Sequence, residues 1–447
     1  MKKYREYKNT GLFWLPQIPK KWEWRFLSQI AKEQNDKKPD NMDFIIMSLS
    51  YGNIIRKRNL YSGLVPDNYN SYQVIHDGNI ILRLTDLQND HTSLRTGLVK
   101  ETGIITSAYT CIFPLDNATY LNYLLHVYDI RKVFYGMGGG VRQSIGYKDI
   151  RKMRVPVPPR EEQDQIVRYL DWKVSEINQL IAIRKKQVQL LKKKKYAYVS
   201  DLITHGLNYQ GAKKYSGVNW LGEIPSHWNI VKLRNILTPV SIKNCSDMQL
   251  LSVVRERGVI IRDVENQEEN HNVIPEDLSN YKRVLKNQFV INKMKAWQGS
   301  YGISNFDGIV SPAYFVFDIQ FKNLEYFHYA IRSKVYVNFF AQASDGIRVG
   351  QWDLSMDKMK EIPFLLPSED EQEKIVLSIK KHTTLIENLI KKINAEIELL
   401  LEFKNRLISD VVTGQIDVRE IYVPEFEVIE EDISDTEINS EEEDEES

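Results

Sequence analysis

The fold is decided by residues 161–205, EEQDQIVRYLDWKVSEINQLIAIRKKQVQLLKKKKYAYVSDLITH, which contain no glycine and no proline. Residues in this stretch follow alternating steps of four and three, which is the spacing of a coiled-coil seam with charged interruptions. The seam positions are Leu170, Val174, Ile177, Ile181, Arg184, Val188, Leu191, Lys195, Tyr198 and Leu202. The pattern predicts one helix roughly 65 Å long at ~1.5 Å rise per residue, too long to be covered by one small globular domain. Such a helix needs a long partner helix.

A second copy of the seam occurs 209 residues later, in a stretch from Ser368 to Thr413. Its positions are Ile379, Thr383, Ile386, Ile390, Ile393, Ile397, Leu400, Lys404, Leu407 and Val411. Even the lysine interruption recurs, since Lys404 matches Lys195, and this favours pairing of the two helices. We expect an antiparallel coiled coil, because the globular stretch between the helices can carry the chain from one end to the other. The alternative is that each helix packs separately on its neighbouring domain.

The repeat extends beyond the helices. GLFWLPQIPKKW at residues 11–22 recurs as GVNWLGEIPSHW at residues 217–228, and GIITSAY at Gly103 recurs as GIVSPAY at Gly308. Each repeat therefore holds a short opening segment, a globular module of mixed structure and a long helix. Antiparallel pairing would relate the two modules by an approximate two-fold axis, an arrangement suited to the symmetry of duplex DNA.

These patterns predict an α+β fold with an internal pseudo-two-fold repeat, in which two globular domains are separated by two long antiparallel coiled-coil helices. The predicted boundaries are 1–158 for the first globular domain, 159–205 for the central helix, 206–366 for the second globular domain, 367–414 for the second long helix and 415–447 for an acidic tail. Within the modules, strands are predicted at Phe44–Leu49, Asn79–Leu84 and Ile104–Phe113, and helices at Tyr120–Phe134 and Leu324–Phe340.

The formal net charge of zero averages two unlike parts. Residues 424–447 contain 13 acidic residues and no basic ones, so the rest of the chain carries a net charge of about +13. A basic body suits a polyanionic partner, although dispersed surface lysines give the same sum. The acidic tail is expected to be disordered, with a role as a nucleic-acid mimic as an alternative. No signal peptide or membrane span is predicted, and the two cysteines favour a reducing cytoplasm.

No sequence motif indicates catalysis. The chain lacks the Gly-Lys dipeptide of a phosphate-binding loop, and its eight histidines have no metal-ligand spacing. We therefore expect no catalytic residue, no metal site and no cofactor site in this chain.

Two glycine-rich stretches are the best candidates for reading DNA bases. GGVRQSIGYKDI at residues 139–150 corresponds to DGIRVGQWDL at residues 345–354. Glycine lets the backbone approach a ligand closely, and the pairs Arg142/Gln143 and Arg348/Gln351 suit guanine and adenine edges. An ordinary loop with solvated polar residues is the alternative. If Arg142 reads a base, Arg142→Ala relaxes one half of the target only.

A second basic group follows the central strands of both modules. Arg83 follows the predicted strand at Asn79–Leu82, and Lys293, Lys295 and Trp297 follow Phe289–Ile291. Basic side chains beside an aromatic ring at this position favour phosphate contact over base reading. We expect Lys293→Ala to weaken binding to all sequences and to lower its salt dependence.

The doubled motifs resemble one family, the specificity subunits of type I restriction-modification systems. The resemblance covers the chain to about Glu425. Its carriers are the doubled W-L-x-x-I-P-x-x-W segment, the helix starts VPVPPREEQ at Val155 and IPFLLPSEDEQ at Ile362, and the helix ends SDLITHGL at Ser200 and SDVVTGQIDV at Ser409. The resemblance implies that both globular domains are target-recognition domains and that each reads one half of a split DNA sequence.

The resemblance also implies partners. These are two modification subunits, which carry S-adenosylmethionine and methylate adenine N6, and restriction subunits, which use ATP and Mg to move along and cleave DNA. These cofactors are expected on the partners and not in this chain. Two other classes compete with this interpretation: a coiled-coil scaffold whose end domains bind proteins, and a stand-alone modification enzyme with an unrecognised active site. Sequence-dependent binding to duplex DNA separates a DNA reader from a scaffold.

Overall fold

The computed structural model describes residues 2–37, 45–57, 69, 71–85, 87, 94–137, 144–207, 210–255, 257–263, 274–275, 277–346 and 352–430. The chain forms two compact units. The first unit joins Met1–Arg184 to Ala395–Asp435, and the second contains Lys185–Asn394. Each long helix therefore contributes residues to both units.

The first unit is built from short antiparallel strands and a few helices. Its strands are β1 (Tyr7–Leu12), β2 (Leu15–Pro19), β3 (Glu23–Phe26), β4 (Ala31–Gln34), β5 (Asp36–Lys37), β6 (Met47–Ser50), β7 (Asn53–Arg56), β8 (Tyr72–Ile75), β9 (Ile80–Leu82), β10 (Thr96–Leu98), β11 (Gly103–Thr106), β12 (Thr110–Pro114) and β13 (Arg154–Val157). Its helices are α1 (Leu27–Ile30), α2 (Ala118–Ile130), α3 (Tyr147–Ile150) and the start of α4 (Arg160–His205), with a 3-10 turn at Val133–Gly136. The main sheet has the order β10-β9-β12-β4.

The second unit repeats this plan. Its strands are β14 (Lys213–Tyr215), β15 (Glu223–Pro225), β16 (Asn229–Lys232), β17 (Leu237–Val240), β18 (Leu251–Val254), β19 (Gly258–Ile261), β20 (Lys282–Val284), β21 (Phe289–Asn292), β22 (Tyr301–Ile303), β23 (Gly308–Val310), β24 (Tyr314–Ile319), β25 (Ser344–Asp345), β26 (Asp353–Leu354) and β27 (Pro363–Leu366). Its helices are α5 (Leu324–Ile331), α6 (Lys334–Gln342), α7 (Met356–Lys360) and the start of α8 (Glu369–Val412), with 3-10 turns at Leu233–Asn235 and Ala296–Gln298. The main sheet has the order β22-β21-β24-β17, equivalent strand by strand to that of the first unit.

The two long helices run antiparallel within each unit. In the first unit Lys404 donates to Asn178 and Arg184 pairs with Glu396. The residue numbers of the α8 partners therefore fall as those along α4 rise. In the second unit Lys195 pairs with Glu387 over 3.2 Å and contacts continue in the same sense toward the end of α4. The predicted α+β class, with an internal repeat and two long antiparallel helices, is confirmed.

The two seam lysines, Lys195 and Lys404, do not contact each other, although their matching positions in the two repeats suggested that they would. Because the helices are antiparallel, Lys195 lies in the second unit beside Glu387, and Lys404 lies in the first unit beside the amide of Asn178. Each cation in the seam has a polar partner of its own, which offsets the cost of removing it from water.

Both units have a core that the long helices complete. In the second unit the aromatic residues of the main sheet and of α5 and α6 pack with Leu202 and Ile203 from the end of α4 and with Ile375, Val376 and Ile379 from the start of α8. In the first unit Val411 and Val412, from the end of α8, are fully buried. Each repeat therefore supplies apolar side chains to the core of the unit that the other repeat begins.

Three predicted elements differ from the structure. The run Ile104–Phe113 forms two strands, β11 and β12, because the chain turns where Tyr109 N bonds to Thr106 O. The predicted helix Leu324–Phe340 is two helices, since Ser333 starts α6 in an extended backbone conformation. The predicted helix Tyr120–Phe134 ends at Ile130 and is followed by Lys132, whose φ of 57° leaves the helical region.

The acidic tail was predicted to be disordered from residue 415, and this is wrong for residues 415–430. Five of these sixteen residues are acidic, but the segment buries Val418 and Val423 in the first unit. Its backbone also bonds to the first unit, since Asp417 N donates to Lys2 O and Gln165 Nε2 donates to Ile421 O. Residues 431–447 lie outside the described part of the chain.

Candidate nucleic-acid interface

The end of strand β21 in the second unit carries the predicted basic group. Lys293 follows Asn292, the last residue of β21, and its Nζ lies 3.0 Å from Oδ2 of Asp353. The backbone N–H of Leu354 donates to Lys293 O at 2.9 Å, so strand β26 is fixed beside the end of β21. Lys293 therefore lies at a junction of two strands, with one carboxylate as its ion-pair partner.

Two tryptophans lie beside this junction. Trp297 is in the 3-10 turn Ala296–Gln298, which begins after Lys295, and its ring centre is 5.0 Å from that of Trp352. The Nε1 of Trp297 is shielded from solvent and has no hydrogen-bond partner among the described residues. Aromatic rings next to cations are typical of surfaces that bind nucleic acid.

Lys282, on strand β20, adds a second cation to this region. Its Nζ donates to Tyr314 O at 2.6 Å and lies 5.7 Å from the ring centre of Phe315. Burial lowers the pKa of Lys282, and the positive charges of Lys243 and Lys293 lower it further. The neighbouring positive charges of Lys243 and Lys293 give this region a positive potential, which favours a phosphate. We call Lys282, Lys293, Trp297 and Trp352 the basic-aromatic cluster.

In the first unit, the backbone after the equivalent strand β9 is fixed by a different contact. Arg83 follows strand β9, and its backbone carbonyl accepts a 3.1 Å hydrogen bond from Nη1 of Arg95. Arg95 is fully buried, and its Nη1 also donates to Thr85 O at 2.8 Å while its Nε donates to the Tyr135 hydroxyl at 3.2 Å. Arg95 thus positions the backbone that presents Arg83.

Arg142, Gln143, Arg348 and Gln351 lie outside the described residues, so their predicted role in reading bases stays a prediction. The described residues that flank them are informative. Ile145 N donates to Leu84 O at 2.9 Å in the first unit, and Leu354 N donates to Lys293 O at 2.9 Å in the second. Both glycine-rich stretches are therefore anchored to the chain directly after the central strand of the main sheet. In each unit, a described residue of the glycine-rich stretch is thus bonded beside the strand end that carries the other predicted group.

Sequence reasoning missed three of the residues at these sites. Lys282 is one of many lysines and has no motif around it, so nothing in the sequence pointed to it. Arg95 could not be recognised as buried, because arginine is rarely fully buried. Trp352 lay near the end of the quoted DGIRVGQWDL stretch, and this position beside the predicted contact residues was the signal that could have identified it.

Among the residues that the structure describes, no group of three or more His, Cys, Asp or Glu side chains is arranged to hold a metal ion. Over the same residues, no helix combines the length and apolar character needed to cross a membrane.

Comparison with known families decides the identity of the chain. The model of the type I restriction modification DNA specificity domain matches it twice, at residues 19–190 and 225–399. This chain belongs to that family. The two matches cover both repeats, and family membership makes the chain a DNA specificity subunit of a type I restriction-modification system.

Relatives of this chain carry consistent names. Two proteins of Methanocaldococcus jannaschii, named as specificity subunits of the type I restriction enzymes MjaX and MjaVIII, are each 26% identical to it, over 313 and 293 residues. The matches cover 67% of this chain and 68% of the MjaX protein, and 61% of this chain and 64% of the MjaVIII protein. A chain from a structural study of the assembly of a type I restriction-modification system superposes with a TM-score of 0.60 at 12% identity. That match covers 89% of this chain and 99% of the other, and it supports the fold.

Proposed function

We propose that this chain is a non-catalytic reader that binds a split duplex target, with each unit reading one half. The observation that carries the proposal is the equivalent anchoring of the two glycine-rich stretches, through Ile145 N to Leu84 O and through Leu354 N to Lys293 O. The same scaffold thus presents two stretches of different sequence. Two different half-targets follow from this arrangement.

The two units differ in their cations, and this supports different half-targets. Arg83 of the first unit aligns with Asn292 of the second, and Leu84 aligns with Lys293. The position of Lys293 in the basic-aromatic cluster is therefore occupied by an uncharged leucine in the first unit. Positioning contacts to phosphate are expected from Lys282 and Lys293, and base contacts from the adjoining glycine-rich stretches.

We propose as partners two modification subunits and restriction subunits, working with this chain in the cytoplasm. S-adenosylmethionine, ATP and Mg would be bound by those partners and not by this chain. Apolar side chains exposed away from the seam of the long helices support a protein-binding role for these helices. Leu385 and Leu389 are exposed in the second unit, and Leu399 and Phe403 in the first. Each pair is four residues apart, so each forms an apolar ridge suited to a partner helix.

The test is a methylation map of a host that produces this chain with its partners. The natural chain is expected to give methylated adenines in a split sequence of two defined parts with a fixed spacer. Exchange of one unit's recognition residues for those of a relative should change one part only. Methylation without sequence preference would contradict the proposal, and failure of the complex to bind duplex DNA would favour the scaffold class.

A second experiment tests whether the helix pair sets the spacer. A four-residue insertion in one helix alone, about 6 Å, is predicted from the sequence to lengthen the spacer by roughly two base pairs. The antiparallel pairing of Arg184 with Glu396 shows that both helices must be lengthened together. Seven residues inserted after Arg184 and after Ala395 keep the seam in phase and add about 10 Å, or roughly three base pairs at ~3.4 Å each. An unchanged spacer in the methylation map would contradict the ruler role.

A further inference from the structure

Residues 415–430 run along helix α4 in the same direction as the helix. Gln165 Nε2 donates to Val418 O at 3.0 Å and to Ile421 O at 2.7 Å. Further along, Ile429 N donates to Ser175 Oγ at 3.1 Å, and Asn178 Nδ2 donates to Ile429 O at 2.9 Å. The segment therefore reaches Asn178 while still following the helix axis.

The helix face that it follows becomes strongly basic on later turns. Ser175 and Lys193 are 18 residues apart, which is five turns at 3.6 residues per turn, so their side chains lie in line. Asn178 is in line with Tyr196 for the same reason, and Lys192 lies within about 40° of that line. A segment that continued past Ile429 along this face would meet these residues.

The basic face contains a groove of about 360 Å³ in the second unit. Its walls include Lys192, Lys195 and Tyr196 from α4, and Glu387 and Lys391 from α8. Residues 177–200 of α4 contain seven basic residues and no acidic ones. Glu387 is paired with Lys195. We call this region the lysine groove, and its excess of cations calls for an anionic partner.

The adjoining sequence has the complementary charge. Residues 431–447 contain ten carboxylates and no basic residue. The distance from Asn178 to Lys193 along α4 is about 22 Å at ~1.5 Å per residue. An extended chain covers about 22 Å in seven residues at ~3.3 Å each. Residues 421–429 cover less distance along α4 per residue, and at that rate the segment would need about ten residues. Residues 436–439 would therefore lie beside Lys193, which brings the carboxylates of residues 435–442 close to Lys192–Lys195.

We infer that residues 431–447 bind in the lysine groove of their own chain. The segment starts from a fixed point, since Ile429 O accepts from Asn178 on α4 and Glu430 forms an ion pair with Lys100 of the first unit. Single exposed ion pairs are weak, so the docking depends on many pairs acting together and weakens with salt. A stronger polyanion such as duplex DNA competes for the same lysines. The segment thus reduces non-specific binding of DNA to the helix pair.

Zero-length crosslinking of the full chain tests the docking directly and does not depend on the proposed function. A carbodiimide joins carboxylates to lysines that touch, and peptide mapping identifies the pairs. We expect links from the carboxylates of residues 435–442 to Lys192–Lys194 and Lys391 at 50 mM salt, and their loss at 1 M salt. Lys322, a lysine already paired with Glu369 elsewhere in the second unit, serves as the control acceptor. Equal yields to Lys322 and to the groove lysines would overturn the inference.

DNA binding provides a second test. Removal of residues 431–447 is expected to tighten binding of an unrelated 30-base-pair duplex. The salt slope should steepen by about three if Lys192–Lys194 each gain a phosphate contact, at ~0.9 per contact. Lys192→Gln, Lys193→Gln and Lys194→Gln, combined with the truncation, should cancel the gain. These exposed lysines lie outside the core, so the triple variant keeps its fold. Identical salt slopes for the full and shortened chains would contradict competition, whereas loss of sequence-specific methylation would count against the proposed function instead.

Discussion

Trp22 and Glu162 are 140 residues apart in the chain, and the indole Nε1 of Trp22 donates a 2.9 Å hydrogen bond to Oε1 of Glu162. The same oxygen accepts from the Tyr4 hydroxyl at 2.6 Å. The second unit repeats the pair, since Trp228 Nε1 donates to Glu371 at 3.0 Å. In both units the tryptophan of the opening segment is bound to the first turn of a long helix.

Glu162→Ala is expected to destabilise the chain, because it leaves the buried N–H of Trp22 and the O–H of Tyr4 without an acceptor. The loss should be about 2–4 kcal/mol, since an unsatisfied buried donor costs roughly 1–3 kcal/mol. Glu162→Gln keeps an acceptor and should cost less. Thermal unfolding followed by circular dichroism measures both. Glu161→Ala, on the same turn but exposed, is the control, and equal effects of the two alanine variants would rule out this role for Glu162.

Gly414→Ala is expected to destabilise the first unit more than Gly217→Ala. Both glycines have positive φ, 74° and 84°, so both substitutions carry a backbone cost of roughly 1–2 kcal/mol. A Cβ at Gly414 would also lie 2.5 Å from Pro19 Cγ and 3.0 Å from Trp22, whereas a Cβ at Gly217 would meet nothing within 4 Å. The difference between the two unfolding midpoints measures the contact of the α8 end with the opening segment. Similar midpoints would show that Pro19 moves away from the added methyl group without a loss of stability.

Lys293→Ala and Asp353→Asn should change DNA binding in opposite directions. The two side chains form a 3.0 Å ion pair, so the carboxylate offsets part of the lysine charge. Without Lys293, binding to all sequences should weaken and the salt slope should become shallower by about 0.9, the effect of one phosphate contact. Without the Asp353 charge, binding should tighten. Titrations of the complex with duplex DNA at several salt concentrations measure both slopes. A loss confined to one base pair of the target would instead make Lys293 a base reader.

Acidification should destabilise the second unit through His328. Burial lowers the pKa of His328 to about 4, with a further contribution from Arg332, whereas Glu325 acts in the opposite direction. Between pH 6.5 and 4 the unfolded chain binds a proton that the folded chain does not, so this stabilisation is present above pH 6.5 and is lost as the pH falls. The loss at pH 5 is about 2 kcal/mol.

The measurement is the unfolding midpoint at pH 8 and at pH 5, compared between the natural chain and His328→Gln. The glutamine variant cannot take up the proton, so its midpoint should fall less between the two pH values. His227→Gln, which replaces an exposed histidine beside Glu371, is the control and should not reduce the fall. An identical fall in the His328→Gln variant would show that other groups dominate.

The long helices could be predicted because their signal is local and repeated. The seam from Leu170 and its copy from Ile379 fix the period, and Ser368 with Glu371 marks a helix start. The break at Ser333 was not predictable, since Leu324–Phe340 has apolar residues throughout and no glycine or proline. Tertiary packing of Tyr326, Tyr336 and Phe340 in one core selects two helices over one.

The candidate site was predicted only in part, because some of its contacts join positions far apart in the sequence. Residue type alone indicated Arg83 and Lys293 at strand ends, and the structure places both there. Described residues of the glycine-rich stretches are held beside those strand ends by backbone bonds between positions about 60 residues apart, such as Ile145 N to Leu84 O. No local pattern encodes such a bond. The burial of residues 415–430 was missed because the acidic composition beyond them masked the apolar residues Val418 and Val423.

The exchange of helix ends between the repeats constrains how such chains can recombine. Leu202 and Ile203, encoded with the first repeat, lie in the core of the second unit, and Gly206 packs against Trp228. A crossover at residue 206 would join a foreign helix end to the native tryptophan pocket and disturb its fit. A crossover near residue 158 keeps the tryptophan pocket of the second unit with its own helix ends and replaces only the tryptophan side of the first unit's pocket. Viable chimaeras should therefore take a recognition module from one parent and keep the long helix that follows it from the other.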